Sequence, residues 1–92
     1  MKNYEALFVL KSGTEENIEK ATSTIVDGIK KNKGKVIKED KWGKRALAYP
    51  IKKHKEGFYY KLDFSIEPSL IEKLDKTYKL NSNILRTLII KR

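Results

Sequence analysis

From Phe58 to Ile66 every second residue is large and apolar: Phe58, Tyr60, Leu62, Phe64 and Ile66. Between them stand Tyr59, Lys61, Asp63 and Ser65. Successive side chains on a strand point to opposite faces, so this stretch is a strand with one buried and one open side. A one-sided sheet needs a second layer on its apolar face. The stretch EGFYYKLDF also invites a second reading, as the base-stacking strand of an RNA-recognition motif. There the stacking aromatics stand on the open face, flanked by small and aliphatic residues. Here Phe58 and Tyr60 belong to the apolar row, Tyr59 stands where a small residue is wanted, and Lys61 where an aliphatic one is wanted. The aromatics are therefore expected in the core.

The rest of the chain supplies the second layer. Residues 2–10 alternate, with Tyr4, Ala6, Phe8 and Leu10 on one side and Asn3, Glu5, Leu7 and Val9 on the other, a first strand. Ser12-Gly13-Thr14 is a turn with an N-cap, followed by Glu15 and Glu16, which suit a helix N-terminus. Ile18, Ala21, Ile25, Val26 and Ile29 recur at helical spacing. Lys30, Lys31 and Lys33 complement the end of that helix, and Gly34 is expected as its C′ residue. Residues 35–51 form a long second strand with a bulge or bend at Trp42-Gly43. Pro50 cannot donate to a ladder, which puts this strand at a sheet edge. Lys52 to Gly57 reads as a basic hairpin connection, and residues 58–66 as the third strand. Pro68 opens a second helix whose apolar side is Leu70, Ile71, Leu74, Tyr78 and Leu80. Asn81-Ser82-Asn83 stops it, and residues 84–91 form the last strand.

The order βαββαβ defines an α+β, ferredoxin-like split βαβ fold: a four-stranded antiparallel sheet with both helices on one face. A chain of 92 residues is expected to be one domain, residues 1–92. It has no cysteine, which excludes disulfides and cysteine-based zinc sites and suits a reducing, cytoplasmic setting. No apolar run is long enough for a membrane span, and no signal peptide is visible.

The net charge of +9 is concentrated. Residues 30–61 hold 12 Lys and Arg against three acids, while the remainder is neutral. That is the footprint of a polyanion partner. The open face adds a second feature. Leu7 and Val9 lie on it, and the last strand is apolar on both sides, with Leu88 and Ile90 opposite Leu85 and Ile89. With Tyr59, these residues form a candidate protein-contact patch: Leu7, Val9, Tyr59, Leu88 and Ile90.

Enzymatic readings fail on residue types. His54 is the only histidine and stands among lysines. Glu39 and Asp40 are neighbours on a strand and point apart. Gly34-Lys35 and Gly43-Lys44 lack the spacing of a phosphate loop, and Lys11-Ser12-Gly13-Thr14 is explained by an N-cap turn rather than an acylphosphatase-like anion loop. No catalytic residue, metal or cofactor is expected. A pure protein adaptor, its charge serving solubility, is the remaining rival.

Three stretches together resemble a known family: Tyr4-Glu5, the segment Gly43-Lys44-Arg45-Ala46-Leu47-Ala48-Tyr49-Pro50-Ile51, and Asn83-Ile84-Leu85-Arg86 leading to Ile89-Ile90-Lys91. The chain is similar along its whole length to the bacterial small-subunit ribosomal protein six family. The resemblance implies a structural role in which the protein binds the central domain of small-subunit ribosomal RNA together with ribosomal protein eighteen. Carried over by position, it implies RNA contacts from Lys2, Lys44, Arg45, Tyr49, Lys79, Arg86 and Lys91. Arg86 is the one arginine inside an apolar strand, suited to phosphate recognition; its plain alternative is a solvated side chain. Lys44 and Arg45 equally suit protection of an edge strand. Tyr49 either stacks on a base or packs beside Pro50. The lysines of residues 52–55 would add diffuse, salt-sensitive attraction. Members of the family often carry a tail beyond the last strand, so contacts from such a tail stay open for a sequence ending at Arg92.

Overall fold

The computed structural model describes residues 1–51 and 53–92, apart from the side chains of Tyr49 and Pro50. The expectations for the Tyr49 and Pro50 side chains and for Lys52 therefore lie outside the described residues. The elements are β1 (Lys2–Lys11), α1 (Glu15–Lys31), β2 (Lys35–Ile51), β3 (His54–Ile66), a 3-10 turn (Pro68–Leu70), α2 (Ile71–Lys79) and β4 (Ile84–Lys91). The strands make one antiparallel sheet in the order β2-β3-β1-β4, the ferredoxin-like arrangement. β2 is an edge, as Pro50 requires, and β4 is the other edge.

The core follows the alternation. Ala6, Phe8 and Leu10 of β1 and Tyr60, Leu62, Phe64 and Ile66 of β3 are fully buried. Register places Tyr4 across from Phe64 and Phe8 across from Tyr60. Tyr4 and Phe64 stack with ring centroids 5.8 Å apart. Phe8 meets Tyr78 edge-on at 5.2 Å, joining the sheet to α2. Each such pair adds about 0.5–1.5 kcal/mol beyond area burial. The Tyr78 hydroxyl donates to the carbonyl of Ile25, tying α2 to α1.

α1 starts where expected: the Thr14 side chain accepts from the Asn17 N–H at 3.2 Å. Ile18, Ala21, Ile25 and Ile29 are buried, and so is Thr22, whose hydroxyl donates to the Glu19 carbonyl at 3.0 Å. A threonine that satisfies its own hydroxyl on the helix backbone can enter an apolar stripe, which composition alone does not reveal. The helix end departs from expectation. Asn32 is the C-cap, and Lys33, not Gly34, takes the left-handed C′ conformation with φ 63°. The Gly34 N–H then closes the turn on the Ile29 carbonyl at 2.8 Å.

Two further details correct the sequence reading, and a third fixes the facing of β4 as expected. β3 begins at His54, so residues expected in the connection are strand: Ile51 pairs with His54, Ala46 with Glu56 and Arg45 with Gly57. Ladder hydrogen bonds need backbone, not apolar side chains, and the hairpin extends as a polar arm. Leu80 is 87% exposed, because it lies 240° around the helix from Leu74 at about 100° per residue and so misses the Leu74–Tyr78 stripe. In β4, the register to β1 shifts between Val9 and Leu10. Ile84 pairs with Leu10 on the helix side, Arg86 pairs with Val9 on the open side, and Leu85 is the extra residue of the irregularity, buried with Ile84. Thus Arg86, Leu88 and Ile90 face away from the helices, with Ile89 on the helix side.

Candidate RNA and protein interface

The open face divides along β1. At the Lys2 end, charges neutralise one another. Lys61 pairs with Glu5 at 3.1 Å, and Arg92 reaches Glu5 at 3.7 Å and Asp63 at 3.4 Å. Here Lys61 and Arg92 are tied to carboxylates, while Lys2 and Lys91 stand at the same end without one among the described residues.

The other end is apolar with a single charge in it. Leu7 lies across from Leu88, and Val9 lies between Tyr59 on one side and Arg86 on the other. Leu7, Val9, Tyr59, Arg86 and Leu88 line one concavity of about 350 Å³. The expected protein-contact residues therefore converge, except that Ile90, 52% exposed, sits at the margin across from Glu5. A second, smaller hollow continues the patch onto β2 through Leu47 and Ile51, sharing Tyr59 and Arg86. Sequence reasoning missed Leu47 and Ile51. Their signal is the strand parity they keep along 47–51.

The expected RNA residues do not form one cluster. Arg86 is exposed and, like Lys2, Arg45 and Lys91, has no carboxylate partner among the described residues. Lys79 and Arg86 line a common hollow at the end of α2, although Lys79 also pairs with Asp75 at 2.9 Å. Lys44 and Arg45 stand on β2 across from Phe58 and Gly57; Lys44 makes a loose pair with Glu56 at 3.5 Å. Lys2 and Lys91 lie at the far end, where Lys91 pairs with Tyr4. From Tyr4 to Val9 the sheet spans about 17 Å at roughly 3.4 Å per residue. The cations thus border the apolar patch on two sides and occupy the opposite end of the sheet, a spread suited to a large polyanion rather than a small anion.

Titration adds nothing catalytic. Among the described residues the two displaced groups are core tyrosines. Burial pushes Tyr60 above the ordinary tyrosine range, reinforced by its hydrogen bond to Glu39, and burial does the same to Tyr78. Among the described residues no three His, Cys, Asp or Glu side chains gather to hold a metal. Among the described residues no helix is long and apolar enough to cross a membrane.

The fold defines the class as a ferredoxin-like α+β domain with one sheet face packed on helices and the other left open, its apolar surface centred on Arg86. Comparison with known proteins makes the class specific. Residues 3–91 match the family model described as ribosomal protein S6. The small ribosomal subunit protein bS6 of Desulforamulus reducens is 41% identical over 92 residues, covering 99% of this chain and 97% of the relative. That of Heliobacterium modesticaldum is 36% identical over 93 residues, covering 100% and 97%. The crystal structure of 30S ribosomal protein S6 from Thermotoga maritima superposes with a TM-score of 0.90 at 29% identity, covering 99% of this chain and 87% of that one. The chain belongs to the ribosomal protein S6 family, structural proteins of the small ribosomal subunit and not enzymes.

Proposed function

We propose that this chain binds the central domain of small-subunit ribosomal RNA together with ribosomal protein eighteen, as a structural element of subunit assembly. The observation that carries the reading is the open face. Leu7, Val9, Tyr59 and Leu88 gather around one unpaired arginine, Arg86, beside the basic β2 arm. An apolar patch of this kind fits a protein surface. Exposed arginine and lysine around it fit phosphates, which position a protein on RNA without reading its sequence. Arg86 lies inside the patch, so protein and RNA meet there rather than on separate faces. That arrangement supports cooperative binding: the partner protein covers the apolar residues and leaves the guanidinium at the seam.

The test is calorimetry with a central-domain fragment of small-subunit ribosomal RNA, with and without ribosomal protein eighteen, at two salt concentrations. The expected result is tight binding, strengthened by the second protein and weakened as salt rises. Absence of binding in both arms would overturn the proposal. Binding to the second protein alone, with no RNA affinity, would favour the adaptor reading.

A further inference from the structure

Trp42 is the chain's only tryptophan. It lies on the edge strand β2 and is 47% exposed. The β2–β3 register breaks beneath it: Lys41 pairs with Tyr60 and Gly43 with Tyr59, leaving Trp42 without a cross-strand partner. Gly43 takes φ 96°, a conformation glycine adopts freely. Bulges of this kind re-aim a side chain. Among the described residues no aromatic ring packs against the indole.

A large ring left open on a sheet edge is an aggregation hazard unless something occupies or protects it. The neighbourhood selects the occupant. Lys41, Lys44 and Arg45 all stand within three residues of Trp42 and are all exposed. Lys41 and Arg45 have no carboxylate partner among the described residues, and the Lys44–Glu56 pair at 3.5 Å is solvent-exposed on both sides. Protein interfaces are depleted in lysine at their centres. Single-stranded nucleic acid, in contrast, is held by an aromatic face for the base with cations for the flanking phosphates. A base inside a duplex hides its faces, so the occupant is an unpaired base.

We infer that Trp42 is a stacking platform for an unpaired base of RNA, placed on the β2 edge. The inference rests on the RNA-binding reading above and adds a contact point to it. Because no other tryptophan is present, fluorescence excited selectively at tryptophan reports this position alone. Titration with the central-domain RNA fragment should quench it along the same curve that filter binding gives for affinity. Trp42→Leu keeps apolar bulk without a ring face and should bind about tenfold more weakly; Trp42→Phe should recover most of that loss. Unchanged thermal unfolding of both variants would show that they fold. If the RNA binds while fluorescence and the Trp42→Leu affinity stay as they were, the platform is refuted and RNA binding stands. If wild type binds no RNA by filter or calorimetry, the RNA reading itself falls and takes the platform with it. Quenching by ribosomal protein eighteen without RNA, with RNA affinity unaffected by Trp42→Leu, would overturn the inference in favour of a protein contact.

Discussion

Arg86 lies directly across the β1–β4 ladder from Val9, and Val9 is only 5% exposed although it sits on the face without helices. Its cover comes from its neighbours. Tyr59 pairs with it from β3, and Tyr59, Leu88 and Arg86 share the concavity that Val9 lines. Arginine suits this place because its aliphatic stem can lie on apolar surface while its guanidinium stays in water.

The two parts of Arg86 can therefore be separated by substitution. Arg86→Met retains an unbranched apolar stem and removes the charge. Its unfolding free energy should stay within about 0.5 kcal/mol of wild type. RNA affinity should fall, and the slope of log affinity against log salt should shrink by about one. Arg86→Lys keeps the charge without the two-pronged geometry and should fall between. Denaturant unfolding and RNA binding at three salt concentrations measure all of this. An unchanged salt slope in Arg86→Met would remove Arg86 from the RNA contact.

Leu88 probes the other half of the surface. It is 53% exposed and stands across from Leu7. Leu88→Lys should leave stability within about 0.5 kcal/mol, since surface substitutions away from packed features do little. A buried lysine in an apolar contact is costly, so affinity for ribosomal protein eighteen should drop at least about tenfold. Pull-down and calorimetry with the purified partner decide it. Full affinity in the variant would move the protein contact off this patch.

Gly57 is held by close approach. A methyl group at its Cα would sit 2.5 Å from Val9 Cγ1, with the Leu10 carbonyl at 3.5 Å and Leu47 Cδ2 at 3.7 Å. Gly57→Ala should therefore destabilise the fold by about 1–3 kcal/mol through overpacking. Shortening Val9 should relieve the clash, so Val9→Ala and Gly57→Ala together should cost less than the sum of the two alone. A double-mutant cycle in urea measures the coupling, and strict additivity would contradict the contact. The same glycine is the second residue of EGFYYKLDF. Its role is to bring the β2–β3 arm against β1, not to free a strand for base stacking.

Much of the fold is legible in the sequence because β3 has a single apolar side and β1 an unbroken apolar row from Tyr4 to Leu10. Tyr4–Leu10 and Phe58–Ile66 could pair with helices in only one orientation, and Pro50 and Gly43 mark an edge and a bulge by chemistry no other residue shares. β4 was the ambiguous strand, apolar on both sides, and its facing is decided by an irregularity opposite Val9 that no residue type announces. Lys33 in the left-handed region and the paired residues His54–Glu56 were hidden for a related reason: both follow from backbone hydrogen bonds rather than side-chain preference. The candidate surface was legible where alternation reported it, at Leu7, Val9, Tyr59 and Leu88. It was illegible where separate strands had to be brought together, as with Leu47 beside Gly57, or Lys2 and Lys91 set apart from Arg86.

The buried tyrosines give the protein an alkaline limit. Tyr60 and Tyr78 are almost wholly removed from solvent, and burial raises the pKa of each above the ordinary tyrosine value; for Tyr60 the bond to Glu39 adds to this. Both hydroxyls are neutral around pH 7 in either state, so they leave stability flat through neutrality. In the unfolded chain a tyrosine ionises near pH 10. The native protein holds its protons longer, so the unfolded state binds fewer above that point and stability falls as pH rises. Each tyrosine should contribute a slope of up to about 1.4 kcal/mol per pH unit. Tyr78→Phe removes one of the two. At pH 7 it should cost about 1 kcal/mol, because the bond to the Ile25 carbonyl is lost and no charge is involved. Between pH 10 and 11 its stability should decline with about half the wild-type slope, narrowing the gap between the two proteins. Urea unfolding from pH 8 to 11 makes the comparison, and a gap that stays constant across that range would show that Tyr78 ionises no later in the native protein than in the unfolded chain.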